Sequence, residues 1–332
     1  MLMKDVIPGF ELYQPTTVDD ALALLDEHGA DAWKIAGGND SLSWFKDRVK
    51  RPSVVVDLTG IGEMRGITET AEGIEIGALT RLAEIEQDSM IQEKYRLLSD
   101  AARAVASPQI RNSGTIGGNL NQDARCWYYR AGLPCYRAGG NTCYADTPEG
   151  MNREHTLFNA NRCVAVTPSD LAPVMIALDA QMVLRKAGSE RVVPAEEFFI
   201  GPAIDITRMT TVEPGEMLVS IRIPSEWAGA RFYFEKVTDR KAWDFPLVNV
   251  AAALKVGSDG AVEAARVACG AVECVPRRVT AAEEAIIGQA VDADLAKIAG
   301  QVSTRGARPL NYNHFKVPLM ANLVARAVRD AA

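Results

Sequence analysis

Three glycines within five positions, Gly114, Gly117 and Gly118, lie inside Ser107-Pro108-Gln109-Ile110-Arg111-Asn112-Ser113-Gly114-Thr115-Ile116-Gly117-Gly118-Asn119-Leu120 and constrain this chain more than any other stretch. Glycine permits positive φ and close approach to the backbone, and successive N–H groups in such a loop can cradle an anion. Ser113, Thr115 and Asn119 add polar side chains between the glycines. A dinucleotide needs such a surface because its pyrophosphate must be desolvated and hydrogen-bonded on binding. A second loop, Ala36-Gly37-Gly38-Asn39-Asp40-Ser41, follows the strand-like Lys34-Ile35-Ala36 and precedes a helix start at Leu42-Ser43-Trp44-Phe45. Taken alone it reads equally as a tight turn with no ligand. Neither loop has the G-x-G-x-x-G spacing, so a nicotinamide site of the Rossmann type is not implied.

The 332 residues are 48% hydrophobic and 24% charged, a globular composition with room for one large core or two to three smaller ones. A formal net charge of −7 leaves no electrostatic footprint for nucleic acid or an anionic membrane. Met1 to Tyr13 lacks the continuous apolar stretch of a signal peptide, and no window reaches the roughly 18 apolar residues of a membrane span. The expected location is cytoplasmic, or periplasmic only if a signal-bearing partner exports the chain.

Thr17 and Asp20 form a capping pattern ahead of a helix to Leu25, and Ser53 to Leu58 and Gly73 to Gly77 read as strands. Leu171 to Leu184 reads as a helix followed by a strand, and Met217 to Pro224 alternates as a strand. A boundary is placed near Trp227, dividing residues 1–227 (parts of about 1–60 and 61–227) from residues 228–332. In the second part, strands are expected at Phe232 to Val237, Val248 to Val256 and Ala261 to Ala268, then helices at Ala281 to Ile287 and Val317 to Val328.

Four of six cysteines crowd into the pattern Cys126-x8-Cys135-x7-Cys143-x19-Cys163, within an insertion spanning 122–165. Four thiolates in a loop-rich segment suit tetrahedral zinc or an iron–sulfur cluster, and no C-x-x-C pair marks a zinc ribbon. Buried free cysteines are the alternative. Cys269 and Cys274 sit in a strand-like run and read as core or surface thiols. His155 reads as a solvated loop histidine, Arg137, Arg153 and Arg162 as loop-surface charges, and Trp127, Tyr128 and Tyr129 as shielding or packing aromatics.

The two glycine loops, with Pro168 to Pro173, Lys236 to Arg240 and Asp244-Phe245-Pro246, resemble the FAD-binding medium subunit of the xanthine dehydrogenase and carbon monoxide dehydrogenase family over nearly the whole chain. The resemblance implies an α+β fold: a vanillyl-alcohol-oxidase-like FAD-binding part of two subdomains, then a C-terminal domain of the carbon monoxide dehydrogenase flavoprotein type. It implies FAD contacts from Lys34, Ala36, Gly37, Gly38, Asn39, Asp40, Ser41, Thr80, Ile110, Ser113, Gly114, Thr115, Gly117, Gly118, Asn119, Asp170 and Lys236. The loops would flank the pyrophosphate, Thr80 would lie near the flavin, Asp170 at the ribityl or ring, and Lys236 at the ring. Asn39 stands where the family commonly has threonine. The cysteine segment resembles the subgroup whose flavin subunit carries an extra 4Fe-4S cluster, the aldehyde oxidoreductases and 4-hydroxybenzoyl-CoA reductase, and its spacing is closer to the former. That makes Cys126, Cys135, Cys143 and Cys163 the implied metal ligands.

The implied function is electron transfer between a partner's clusters, FAD and an external acceptor or donor such as ferredoxin, NAD, a quinone or oxygen. No catalytic residue is assigned. The implied partners are a molybdopterin-binding large subunit and a small 2Fe-2S subunit, and the complex would oxidise an aldehyde or N-heterocycle or act as a benzoyl-CoA-type reductase. A self-contained FAD oxidase and a zinc-stabilised binding module are the rival readings. Gly117→Val is expected to cost flavin occupancy before fold.

Overall fold

The structure is a computed structural model and describes residues 7–332; Met1 to Val6, and with them half of the segment judged against a signal peptide, lie outside the described residues. Strands β1 (Glu11–Tyr13), β2 (Ala32–Ile35) and β3 (Val54–Asp57) form a small parallel sheet in the order β1-β3-β2. Parallel neighbours need a crossover, and the helix Val18–His28 provides the first one. Thr17 caps it by accepting from Asp20 N–H, and Val18, Ala21, Leu22 and Leu25 form its buried stripe. A second crossover, the helix Ser41–Lys46, buries Trp44 and Phe45.

A five-stranded antiparallel sheet follows, made of β4 (Ile67–Thr70), β5 (Gly73–Gly77), β6 (Gln181–Lys186), β7 (Ser189–Pro194) and β8 (Met217–Pro224) in the order β4-β5-β8-β6-β7. Between β5 and β6 run short helices from Leu82 to Leu120, then a segment whose regular structure is one turn of helix at Trp127–Arg130 and a 3-10 turn at Tyr136–Ala138.

The C-terminal part holds β9 (Arg231–Val237), β10 (Val248–Val256), β11 (Val262–Gly270) and β12 (Arg277–Arg278), antiparallel in the order β12-β11-β10-β9. β10 is buried on both faces. Its Val248, Val250, Ala252 and Leu254 pack with Met320, Leu323, Val324 and Val328 of the helix Lys316–Ala331. Ala251 and Ala253, with Ala268 of β11, join the core of the N-terminal half, where the helix Ala172–Ala177 lies on the sheet. Small residues on that face let the two halves close on one another.

The helix Ala293–Ser303 does not stand out in sequence, because its buried face is Ala296, Ala299, Gly300 and Ser303. A Cβ on Gly300 would stand 2.3 Å from the Ala321 carbonyl oxygen, so the two helices meet at backbone contact. Among the described residues, no helix is long and apolar enough to cross a membrane.

Candidate functional site

Strand β2 feeds the chain through Ala36 into Gly37 and Gly38, the latter at φ 73°. A Cβ on Gly37 would stand 2.2 Å from the Ser113 carbonyl oxygen, so the two glycine loops touch backbone to backbone. Asn39 Nδ2 donates to Ser113 Oγ at 3.1 Å across the same junction. Among the described residues, no backbone carbonyl accepts from the N–H groups of Gly37, Gly38, Asn39, Asp40 or Ser41. Five successive donors are left for an anion, a fit to a pyrophosphate that rests on geometry rather than on composition.

The second loop is mostly spent on its own fold. Gly114 N–H donates to Ile110 O at 2.6 Å, Ile116 N–H to Thr80 O at 3.0 Å, and Gly117 N–H to Ala78 O at 2.8 Å. Thr115 caps the short helix Ile116–Leu120 by accepting from Gly118 N–H at 3.1 Å. A Cβ on Gly117 would meet Ala78 O at 2.8 Å and Ala78 Cβ at 2.9 Å, whereas at Gly118 the contact within reach is Thr115 Oγ1 at 3.1 Å. This corrects the expectation for Gly117→Val: that glycine is required by packing against Ala78, so its substitution strikes the fold first. Asn119 is buried and accepts from Ser169 Oγ at 2.6 Å.

Other expected contacts are turned inward. The Thr80 hydroxyl bonds both N–H and C=O of Gly66 at 3.0 Å, beside a shallow pocket shared with Arg65 and Glu84. Lys34 Nζ donates to the Glu216 carbonyl at 2.7 Å, and burial lowers its ammonium to about 8 against a partial support from Glu216. Lys236 Nζ donates to Asp170 Oδ2 at 2.7 Å, Asp244 O at 2.8 Å and Ala104 O at 3.1 Å. An ammonium has three donors, so none is left over for a flavin ring. Asn249 Nδ2 reaches the other Asp170 oxygen at 3.1 Å, and burial still pushes that carboxyl upward.

The four cysteines of the insertion line one pocket together with Tyr128, Tyr129, Tyr136, Arg137, Tyr144 and Arg162. All six cysteines are free thiols. Among the described residues no three His, Cys, Asp or Glu side chains converge tightly enough to hold a single metal ion. Zinc draws its thiolates to about 2.3 Å from one point, whereas a cubane spreads four thiolates around a body of irons and sulfides. The four thiols share one pocket lining, a donor set that either group could use. The Asp146 N–H donates to the Cys143 carbonyl at 3.1 Å, closing a turn beside the pocket. Burial pushes the Cys126 thiol up to about 11 and Cys143 upward as well, so binding a metal there must displace protons.

Several surroundings differ from the sequence reading. Arg137 is buried rather than solvated, pairs with Asp123 Oδ1 at 3.1 Å, and has an Nε with no partner among the described residues, on a side chain that lines the cysteine pocket. A buried orphan donor beside four thiols suits an acceptor-rich cluster. His155 is buried too, with Nε2 3.3 Å from Cys126 Sγ, and burial lowers its imidazole to about 4. Cys274 is a core thiol as expected, yet it packs with Cys163, Met209 and Ala124 just behind the pocket. Trp127 lies exposed with Nε1 on Glu154, while Tyr129 packs on Trp44 at 5.2 Å between ring centroids. A cation two residues after Cys135 was the available sequence signal for Arg137; its burial depends on Asp123 and on Thr207 and Met209, far along the chain.

Comparison with known proteins bears on the flavin part and on the C-terminal part of the chain. Residues 8–226 match a family model described as FAD binding domain in molybdopterin dehydrogenase, and residues 233–331 match the CO dehydrogenase flavoprotein C-terminal domain. The aldehyde oxidoreductase FAD-binding subunit PaoB of Escherichia coli K12 is 32% identical over 96% of this chain and 97% of its own length. The carbon monoxide dehydrogenase medium chain of Hydrogenophaga pseudoflava is 28% identical, covering 98% of this chain and 97% of the relative. A solved structure of the Hydrogenophaga pseudoflava carbon monoxide dehydrogenase superposes with TM-score 0.77 at 28% identity and 98% coverage of both chains.

Proposed function

Because this chain belongs to the FAD-binding medium subunits of the carbon monoxide dehydrogenase and xanthine dehydrogenase family, we propose that its own cofactors are FAD on the paired glycine loops and a 4Fe-4S cluster on Cys126, Cys135, Cys143 and Cys163. The chain is the electron-transfer subunit of a multi-subunit molybdenum-dependent dehydrogenase whose molybdenum site lies on the large subunit. The observation that carries the flavin site is the run of unspent N–H groups from Gly37 to Ser41 against Ser113 and Gly114. FAD, when bound, supplies the exchange between one-electron and two-electron steps.

The residues divide the work. Gly37, Gly38 and Asn39 offer backbone donors to the pyrophosphate while Asn39 and Ser113 pin the loops together. Asp170 and Lys236 brace the C-terminal sheet behind the site. The four thiols, with the Arg137 side chain lining the same pocket, provide the anionic ligands. PaoB is named as part of an aldehyde oxidoreductase, and an aldehyde is the substrate class we assign to the complex. Ferredoxin, NAD, a quinone or oxygen takes or supplies the electrons at this subunit, and the large subunit and a small 2Fe-2S subunit are its partners.

The test is an absorption spectrum with flavin, iron and acid-labile sulfide analysis of the complex. Expected are flavin bands, broad iron–sulfur absorbance, and about four iron atoms beyond those of the small subunit. Flavin without that additional iron removes the cluster from the proposal.

A further inference from the structure

The helix Trp127–Arg130 of the cysteine insertion reaches the first glycine loop through Arg130. Arg125 Nη1 and Arg130 Nη1 both reach Asp40 Oδ1, at 3.1 and 3.4 Å. Arg130 also stacks its guanidinium 4.1 Å from the centroid of Trp44, the buried anchor of the helix that follows the loop. Tyr129 packs on the same Trp44, and Lys50 pairs with Asp123 at 3.2 Å just before the insertion's first cysteine. Two ion pairs from one short segment therefore fall on Asp40 of the loop, and Arg130 and Tyr129 hold the helix that follows it through Trp44.

Asp40 poses an electrostatic problem for that loop. A carboxylate inside a run of donors repels the phosphate the donors would bind, and in a partly buried site this repulsion is weakly screened. Arg125 and Arg130 neutralise it, and both come from the insertion. Burial, and then the proximity of Arg130, work against the charge on Arg125, with Asp40 in support. Arg130 also reaches Asp47 Oδ2 at 3.7 Å, which leaves Arg125 as the cation whose charge favours a further anion nearby.

We infer that the cysteine insertion is a working part of the flavin site: Arg125 and Arg130 are positioning residues that cancel Asp40 and clamp the phosphate loop, so that order in the cysteine centre and affinity for FAD are coupled. The inference rests on the flavin and cluster reading above. Coupling of this kind is reciprocal, so flavin loading should in turn favour an intact cysteine centre.

The experiment uses the purified complex, stripped of flavin and titrated with FAD while flavin fluorescence is followed. Arg125→Gln should weaken FAD binding about tenfold, the size expected for losing one charge-assisted contact. Adding Asp40→Asn to Arg125→Gln should restore most of the affinity, because the repulsion is then gone; a general loosening of the fold would not be rescued by removing a second charge. Cys135→Ser should weaken FAD binding as well, with Arg125 and Arg130 unchanged in sequence. Unaltered affinity in folded Arg125→Gln and Arg130→Gln complexes overturns the inference while leaving the flavin reading intact. Failure of the wild-type complex to bind FAD removes the reading, and the inference with it.

Discussion

At the scale of single residues, identity separates ligands from bystanders only when position is known. Cys135 lines the pocket with three other thiols, while Cys269 is enclosed in the C-terminal core among Val250, Val267 and Val272. Cys135→Ser offers iron a harder oxygen ligand and should remove most of the roughly four iron atoms of the proposed cluster, whereas Cys269→Ser should leave the iron content unchanged. Iron and sulfide analysis of both variants decides it: persistence in the first, or loss in the second, reverses the assignment. The glycines divide in the same way. Gly37→Ala places a Cβ 2.2 Å from Ser113 O and should pry the two loops apart, so the purified variant should lose most of its flavin. Gly117→Val should instead lower the unfolding temperature with or without flavin, because its clash is with Ala78. A Gly117→Val protein of normal thermal stability would falsify that division.

At the scale of elements, β2 is tied to the second subdomain by Lys34, whose ammonium reaches the Glu216 carbonyl just ahead of β8. Burial brings its folded value to about 8 from an ordinary value of 10.5. Between those two values the unfolded chain holds a proton that the folded chain has released. Stability from this group is therefore poorest below pH 8, rises through the window, and levels off above it. The flavin-free chain should gain about 3 kcal/mol from this source across the window, and Lys34→Met should flatten that slope. Denaturant unfolding of both proteins from pH 7 to 10 provides the comparison; parallel curves refute the linkage. The elements themselves were largely legible. The capped helix after Thr17, the strands at Val54–Asp57 and Gly73–Gly77, and β8 to β11 follow from alternation, β-branching and helical spacing. The strand at Ile67–Thr70 was not, because it lies at the sheet edge with Glu69 and Thr70 exposed.

At the scale of the whole molecule, the two halves are joined by a buried ion pair, Lys236 with Asp170, flanked by Asn249. Lys236→Met leaves Asp170 buried without its cation and should cost about 3–5 kcal/mol, while the double variant Asp170→Asn with Lys236→Met should recover part of that loss. Chemical denaturation of the three proteins measures it, and a single-variant loss below about 1 kcal/mol contradicts the bracing role. The loops, the four clustered cysteines and the order of strands and helices are properties of the chain read in one dimension. They depend on local backbone freedom, on periodicity and on spacing, all of which short stretches contain. What required the tertiary structure was which of those groups remain free. Among the described residues, Gly117 is consumed by Ala78, Lys236 by three acceptors, and Thr80 by Gly66, while Gly37 to Ser41 keep their donors and Arg137 keeps its Nε. Availability is decided by partners distant in sequence, and burial sets the cost of leaving any one of them unpaired. For the same reason the meeting of Asp40 with Arg125 and Arg130, separated by 85 and 90 positions, is visible only once the chain has folded.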